Sequence, residues 1–344
     1  MNTTKNGVRF VHMIAPVLAL IYPFSLQGFH FFVTPKTVGL SVAAWVGATC
    51  SLLAAFLVPL IALTVAVHLS RQPATSIGAR RGRRIAYLAV ASPPLFTFIG
   101  VLMFLVGNPV SDVLLYCGLW IALLSGILVG GSRPISESSG TNLTAKLRVS
   151  HGAVAAAVLA LFLLAHIGNH MFGLVGSDAH IAVMKDLRQI YRNFVFEPLL
   201  LIGFLYLIGS GALMAWRFAG SETDGFRALQ VASGIYLLFF LVSHINAVLV
   251  LARTILGIDS DWGFATGAPT GLIHDAWNIR LLPLYVLSVF FALTHPLLGA
   301  RVVMLNHGKN RDFADKFVVI GATLAAVSSV VIILGMCGLR LAFV

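Results

Sequence analysis

His166 and His170 stand one helical turn apart in Arg148–His170, RVSHGAVAAAVLALFLLAHIGNH, a stretch apolar enough to span a membrane. His244 ends a second such stretch, LQVASGIYLLFFLVSH (229–244). An imidazole is costly in hydrocarbon, so a deep one marks a cofactor, a proton relay or an ion path before it marks packing. His166 lies 18 residues beyond Arg148 and His244 lies 17 beyond Arg227, so at helical rise both sit about 26 Å from the basic end of their helices. Two neutral imidazoles at one depth on two helices, with Ser233-Gly234 offering space, match the way a bundle holds a flat macrocycle by its iron. A bare zinc fits less well, because it takes three or four protein ligands and no carboxylate or cysteine lies near that depth. A polar contact between helices and a proton relay through a transporter stay open as alternatives.

The remaining histidines divide by depth. His170 shares a face with His166 near the far headgroups, where it can bond a haem propionate or serve as an interfacial residue. His295 precedes Arg301 by six residues, which places it about 9 Å from the basic end, too far from the pair to join it. His12, His68 and His151 each lie three residues from an arginine at the membrane boundary, and His30, His180, His274 and His307 fall in or near loops.

These positions require a membrane fold. The chain is 58% hydrophobic and 10% charged, with a mean hydropathy of +0.93, which excludes a soluble domain of this size. An all-α integral membrane protein of nine transmembrane helices is expected, near 10–33, 41–69, 85–107, 111–131, 147–174, 193–217, 227–255, 280–304 and 317–342. The first span is no cleaved signal: it is too long, Gln27 and His30 interrupt its end, and no small-residue cleavage site follows. Residues 1–131 form a four-helix block, the polar stretch GSRPISESSGTN (131–142) marks a linker taken as 132–145, and 146–344 form a five-helix bundle. Adjacent Pro93 and Pro94 remove two backbone donors and predict a kink in the third span. Arg9-Phe10-Val11-His12 opens the first span as Arg148-Val149-Ser150-His151 opens the fifth, a hint of duplication in which Gln27 stands where His166 does.

The net charge of +11 is topology rather than a nucleic-acid surface: sixteen of the 23 Lys and Arg fall on one side, which puts the N-terminus in the cytoplasm and the C-terminus outside. The loop RRGRR (80–84) anchors that side against membrane lipid. Nearly all twelve acidic residues sit in loops or at helix ends, Glu197 being the deepest, which argues against a cation path. Cys50, Cys117 and Cys337 lie in apolar spans without CxxC or CxxCH spacing, so no disulfide framework, iron–sulfur cluster or covalent haem follows.

Residues 146–342 resemble the membrane-anchor cytochrome b subunit of succinate:quinone oxidoreductases, the succinate dehydrogenases and fumarate reductases of bacterial inner membranes, in the single-chain five-helix kind that holds two haems b. The resemblance rests on His151 with His166 fifteen on, on LQVASGIYLLFFLVSH, and on His295-Pro-Leu-Leu-Gly299. It implies that His166 and His244 ligate the outer haem iron and that His295 is one ligand of an inner haem. The family's other inner ligand comes from its second helix, yet span 193–217 has no histidine and carries Leu207 at the matching place. One haem is therefore expected rather than two, unless His295 recruits a partner from the first block such as His68. The resemblance further implies docked flavoprotein and iron–sulfur subunits and exchange of electrons with quinone. Arg148, Ser150 and His151 offer donors and a proton for a quinone carbonyl. The chain has neither a dinucleotide fingerprint nor a cysteine cluster, so it carries no substrate-oxidising site of its own. The rival readings are a cytochrome b serving another dehydrogenase and a haem-free transporter.

Overall fold

The structure is a computed structural model that describes residues 10–34, 41–135 and 143–341. Among these residues helix is the only regular secondary structure, joined by turns and short irregular segments, with one isolated bridge between Ser76 and Pro134. The helices are α1 Val11–Val33, α2 Val42–Ser70, α3 Ile77–Val90, α4 Ser92–Leu105, α5 Asp112–Gly130, α6 Leu143–Val158, α7 Leu164–Met171, α8 Ser177–Tyr191, α9 Phe196–Phe218, α10 Gly225–Ile245, α11 Trp262–Thr266, α12 Gly271–His274, α13 Leu281–Asn306 and α14 Arg311–Met336. Eight stretches are long and apolar enough to cross a membrane, with α6 and α7 counted as one, and the pair α3–α4 makes nine if its two arms count as one span. Helices dominate because hydrocarbon offers backbone groups no water, so each N–H and C=O must bond within its own segment. The chain is thus a multi-pass integral membrane protein.

Most expected spans agree with these helices to within a few residues. The third, however, begins eight residues earlier, at Ile77, so RRGRR (80–84) lies in α3 rather than in a loop, and the ninth begins six residues earlier, at Arg311. The proline pair has the expected effect. Ala91 ends α3, Pro93 and Pro94 occupy the first turn of α4, and the two arms meet at a bend of 74°. A proline's missing donor costs nothing in a first turn, so the pair restarts the helix where it could not continue it. Short side chains cap several ends: Ala44 N–H donates to Ser41 Oγ at 3.2 Å, Ala79 N–H to Ser76 Oγ at 3.2 Å, and Arg227 N–H to Asp224 Oδ1 at 2.8 Å.

The described residues divide into two compact units, one within Met1–Asn142 plus Ala212–Ser243, the other Leu143–Gly211 plus His244–Val344. The first unit therefore takes in the stretch containing Gly234. The expected linker lies mostly outside the described residues, as do Lys5 and Arg9 of the duplication and charge patterns.

In the first unit α1 packs on α2, α3 and α5. Its middle is filled by aromatics meeting edge to face: Tyr22 on Phe96 at 6.0 Å, Phe96 on Tyr116 at 5.2 Å and Tyr116 on Trp120 at 5.9 Å, the geometry favoured by ring quadrupoles. His12, expected beside a boundary arginine, is buried against protein. It lies against Gly82, where an added Cβ would come within 2.6 Å of the His12 Cβ.

In the second unit α13 packs along α14, and α7 and the turn Phe172–Leu174 also meet α14. The rest is open: in the most apolar window of residues 145–174 no side chain is buried, and in that of α9 only 6% are, against 44% in α13. The turn after α7 is the tight point. Trp262 lies so close over Gly173 that a Cβ there would collide with the indole. Gly173→Ala is therefore expected to cost about 1–3 kcal/mol through overpacking, visible as a lower thermal midpoint in tryptophan fluorescence.

Candidate functional site

Histidines line up through the second unit. The rings of His166 and His244 have centres 6.1 Å apart at 65°. His170 meets His166 at 5.0 Å and 83°, and His180 meets His170 at 5.2 Å. Trp262 closes the row, 4.6 Å from His180. On its other side His166 stacks on Phe162, one turn earlier, at 5.0 Å and 17°.

The 6.1 Å spacing discriminates between the chemistries open to this pair. A direct hydrogen bond would bring the ring centres within about 5.4 Å, because N···N contacts run to about 3.2 Å and each nitrogen lies about 1.1 Å from its ring centre. The two imidazoles are too far apart for that. Metal–imidazole bonds of about 2 Å from two imidazoles to one iron would put the centres roughly 6 Å apart, so the spacing of His166 and His244 is compatible with both holding one haem iron. Among the described residues no group of three or more His, Cys, Asp and Glu is placed to hold a bare metal ion, whereas a macrocycle brings its own four equatorial nitrogens.

Backbone irregularity flanks both rings. A π-helical stretch, Leu159–Leu163, ends three residues before His166, and another, Asn246–Leu256, starts two residues after His244. Such widened turns gather at functional sites because they re-aim side chains. Glu197, the deepest carboxylate in the sequence, pairs with Arg253 of the second stretch and so joins α9 to it.

His180, expected in or near a loop, lies on α8 and is 3% exposed. Burial, with Arg188 beside it and Asp261 opposing, lowers its pKa to about 4, so the ring is neutral at pH 7. With the Asn169 amide as donor, Nδ2–H bonds His180 Nε2 at 3.2 Å, which leaves the ring proton on Nδ1. That buried Nδ1 has no partner, and neither do Asn169 Oδ1 and His170 Nδ1. Buried donors without acceptors are rare enough to call for an explanation. α8 is held to the loop before Trp262 by Arg188 and Arg192, both bonded to Asp259 Oδ1, at 3.2 and 3.3 Å.

A second polar cluster joins α6 to α9. The Ser210 hydroxyl donates to the Tyr206 carbonyl at 2.6 Å and lies 2.8 Å from His151 Nδ1. Its one proton is thereby used, so His151 Nδ1–H donates to Ser210 and Nε2 keeps its lone pair. Ser150 Oγ bonds the Tyr206 hydroxyl. His151 rests against Gly211, where a Cβ would sit 3.6 Å from its Cε1. The expected residues Ser150 and His151 are thus brought together, joined by Tyr206 and Ser210, whose i, i+4 spacing on an apolar span was the available signal. Arg148 is exposed one turn away.

The other expected residues lie elsewhere. His295 is partly buried on α13 beside the buried Thr294. His68 is exposed at the end of α2, with its Nε2 2.8 Å from Gln72 Nε2. Gly234 lies among buried Ser233, Ile235 and Tyr236 in the first unit. Compared with protein-family models, with curated proteins and with solved structures, the chain finds no match.

Proposed function

We propose that the chain is the haem b-bearing membrane anchor of a quinone-linked oxidoreductase of the succinate dehydrogenase and fumarate reductase type. The observation that carries this reading is the 6.1 Å separation of His166 and His244, wide for a hydrogen bond and compatible with both imidazoles holding one haem iron. Bound there, the haem supplies a one-electron carrier in the hydrocarbon region. His170 and His180, with buried and unsatisfied Nδ1 atoms, suit the carboxylates at its edge. The cluster of Ser150, His151, Tyr206 and Ser210, with exposed Arg148 one turn away, suits a quinone head group: the arginine to donate to a carbonyl, and His151 Nε2, held by the Ser210 contact at Nδ1, to hold or move the proton.

The excess of basic residues at one end of the helices orients that end to the cytoplasm and offers a docking face for acidic iron–sulfur and flavoprotein subunits. Gentle detergent extraction of membranes tests the reading. The expected product carries a b-type reduced-minus-oxidised spectrum together with a flavin-containing and an iron–sulfur polypeptide, and membranes lacking this chain leave those subunits soluble. A preparation from haem-replete cells without a Soret band overturns the proposal. A chain that carries haem but no such subunits points to a cytochrome b for another dehydrogenase.

A further inference from the structure

Arginine is crowded in the first unit, and the way each guanidinium is satisfied differs. Arg83 is 3% exposed; its Nη1 donates to the Gly220 carbonyl at 3.3 Å and its Nη2 to that of Gln72, and Glu222 faces it electrostatically. Arg81 Nη1 donates to the Gly126 carbonyl at 2.7 Å. Arg227 lies over Phe218 at 4.2 Å and bonds Gln230. Arg84 is arranged otherwise. Its guanidinium carbon stands 3.9 Å over the Trp216 ring and its Nη2 rests against Gly220, where a Cβ would come within 3.0 Å. Its Nε, like that of Arg83, is enclosed and has no hydrogen-bond partner, but unlike in Arg83 no carbonyl takes either of its terminal nitrogens among the hydrogen bonds of the described residues. Arg80, one turn earlier on α3, is close enough to repel it, and among the described residues no carboxylate forms an ion pair with either.

Like charges at i and i+4 destabilise a helix, and a held guanidinium with an unused N–H adds a desolvation cost. Both are relieved by one anion. The flat Trp216 face fixes the Arg84 fork in advance, so less freedom is lost when it grips two oxygens of one group. Trp216 is 67% exposed on a membrane-spanning helix, the location of an interfacial tryptophan beside lipid headgroups. We infer that Arg80 and Arg84, braced by Trp216 and Gly220, form a phosphate site filled by the phosphodiester of an anionic membrane lipid. This inference does not depend on the haem reading.

The test uses the full chain, purified and delipidated in detergent, then offered dioleoyl phosphatidylglycerol, dioleoyl phosphatidylcholine or inorganic phosphate, with bound ligand read by native mass spectrometry and thermal stabilisation. Phosphatidylglycerol is expected to be retained over phosphatidylcholine, and about fivefold less for each arginine removed in Arg80→Gln and Arg84→Gln. Arg80→Gln alters a partly exposed residue of α3 and serves where Arg84→Gln folds poorly. Lys309→Gln, at an exposed lysine of the other unit, is the control for general surface charge and is expected to change nothing. Stabilisation by inorganic phosphate, lost in the same variants while phosphatidylglycerol has no effect, keeps the phosphate site and replaces its lipid by a free anion. Equal retention of both lipids, unchanged phosphatidylglycerol binding in the arginine variants, or an equal loss in Lys309→Gln overturns the inference.

Discussion

Purified from haem-replete cells, the wild-type chain should carry one haem b per polypeptide by pyridine haemochrome assay, and His166→Ala with His244→Ala should carry none. Each single substitution should lower haem content at least tenfold, since disturbing even an outer-sphere partner of a metal ligand costs about 10- to 100-fold in affinity. Losing one of the two imidazoles that would hold the iron is the larger perturbation. The rings stand 6.1 Å apart, too far for a direct hydrogen bond, so truncating either removes a ring contact but no hydrogen bond between the two imidazoles, and helical content by circular dichroism should stay unchanged. His295→Ala should leave the haem in place. Two haems in the wild type, falling to one in His295→Ala, would show that His295 has a ligand partner and would revise the expectation drawn from Leu207. Full haem content in the double variant would end the assignment and return the pair to a proton-relay or packing role.

The hydrophobic framework was legible because it depends on composition along the chain, which hydrocarbon turns directly into helix. Counting from Arg148 and Arg227 placed His166 and His244 at one level, and their rings are neighbours. Pro93 and Pro94 announced the bend between α3 and α4. The features missed depend on partners distant in sequence. His180 looks like a loop residue until α8 forms and Trp262, 82 positions later, covers it. Tyr206 and Ser210 carry no motif; they matter because α9 faces α6 across Ser150 and His151. His12 lies close to a boundary arginine, as interfacial histidines do, yet Gly82 removes the side chain that would have kept it out of the interior. The π-helical stretches beside the histidine pair are the least readable. They arise from local packing compromises that hydrophobic periodicity does not encode.

The second large effect is expected at the α6–α9 cluster. Under the proposed function His151→Leu should lower the turnover of quinone reduction by about 10²- to 10⁴-fold, the scale of losing a positioned proton-transfer group, with haem content unaffected. Ser210→Ala tests how that group is held. The Ser210 hydroxyl is committed to the Tyr206 carbonyl and so can only accept from His151 Nδ1; without it the ring is free to take the other tautomer and to turn. Turnover should fall less than in His151→Leu, and His151→Gln should not restore it, because an amide bonds but does not shuttle a proton at neutral pH. Tyr206→Phe removes the hydroxyl that meets Ser150 and leaves His151 and Ser210 in place. Its effect should therefore fall mainly on KM for quinone, as loss of a binding contact shared by ground and transition states. A His151→Leu variant that keeps wild-type turnover, measured as haem-normalised quinone reduction with an artificial electron donor, would remove this cluster from the reaction. The haem pair would then be the only part of the redox reading left to test.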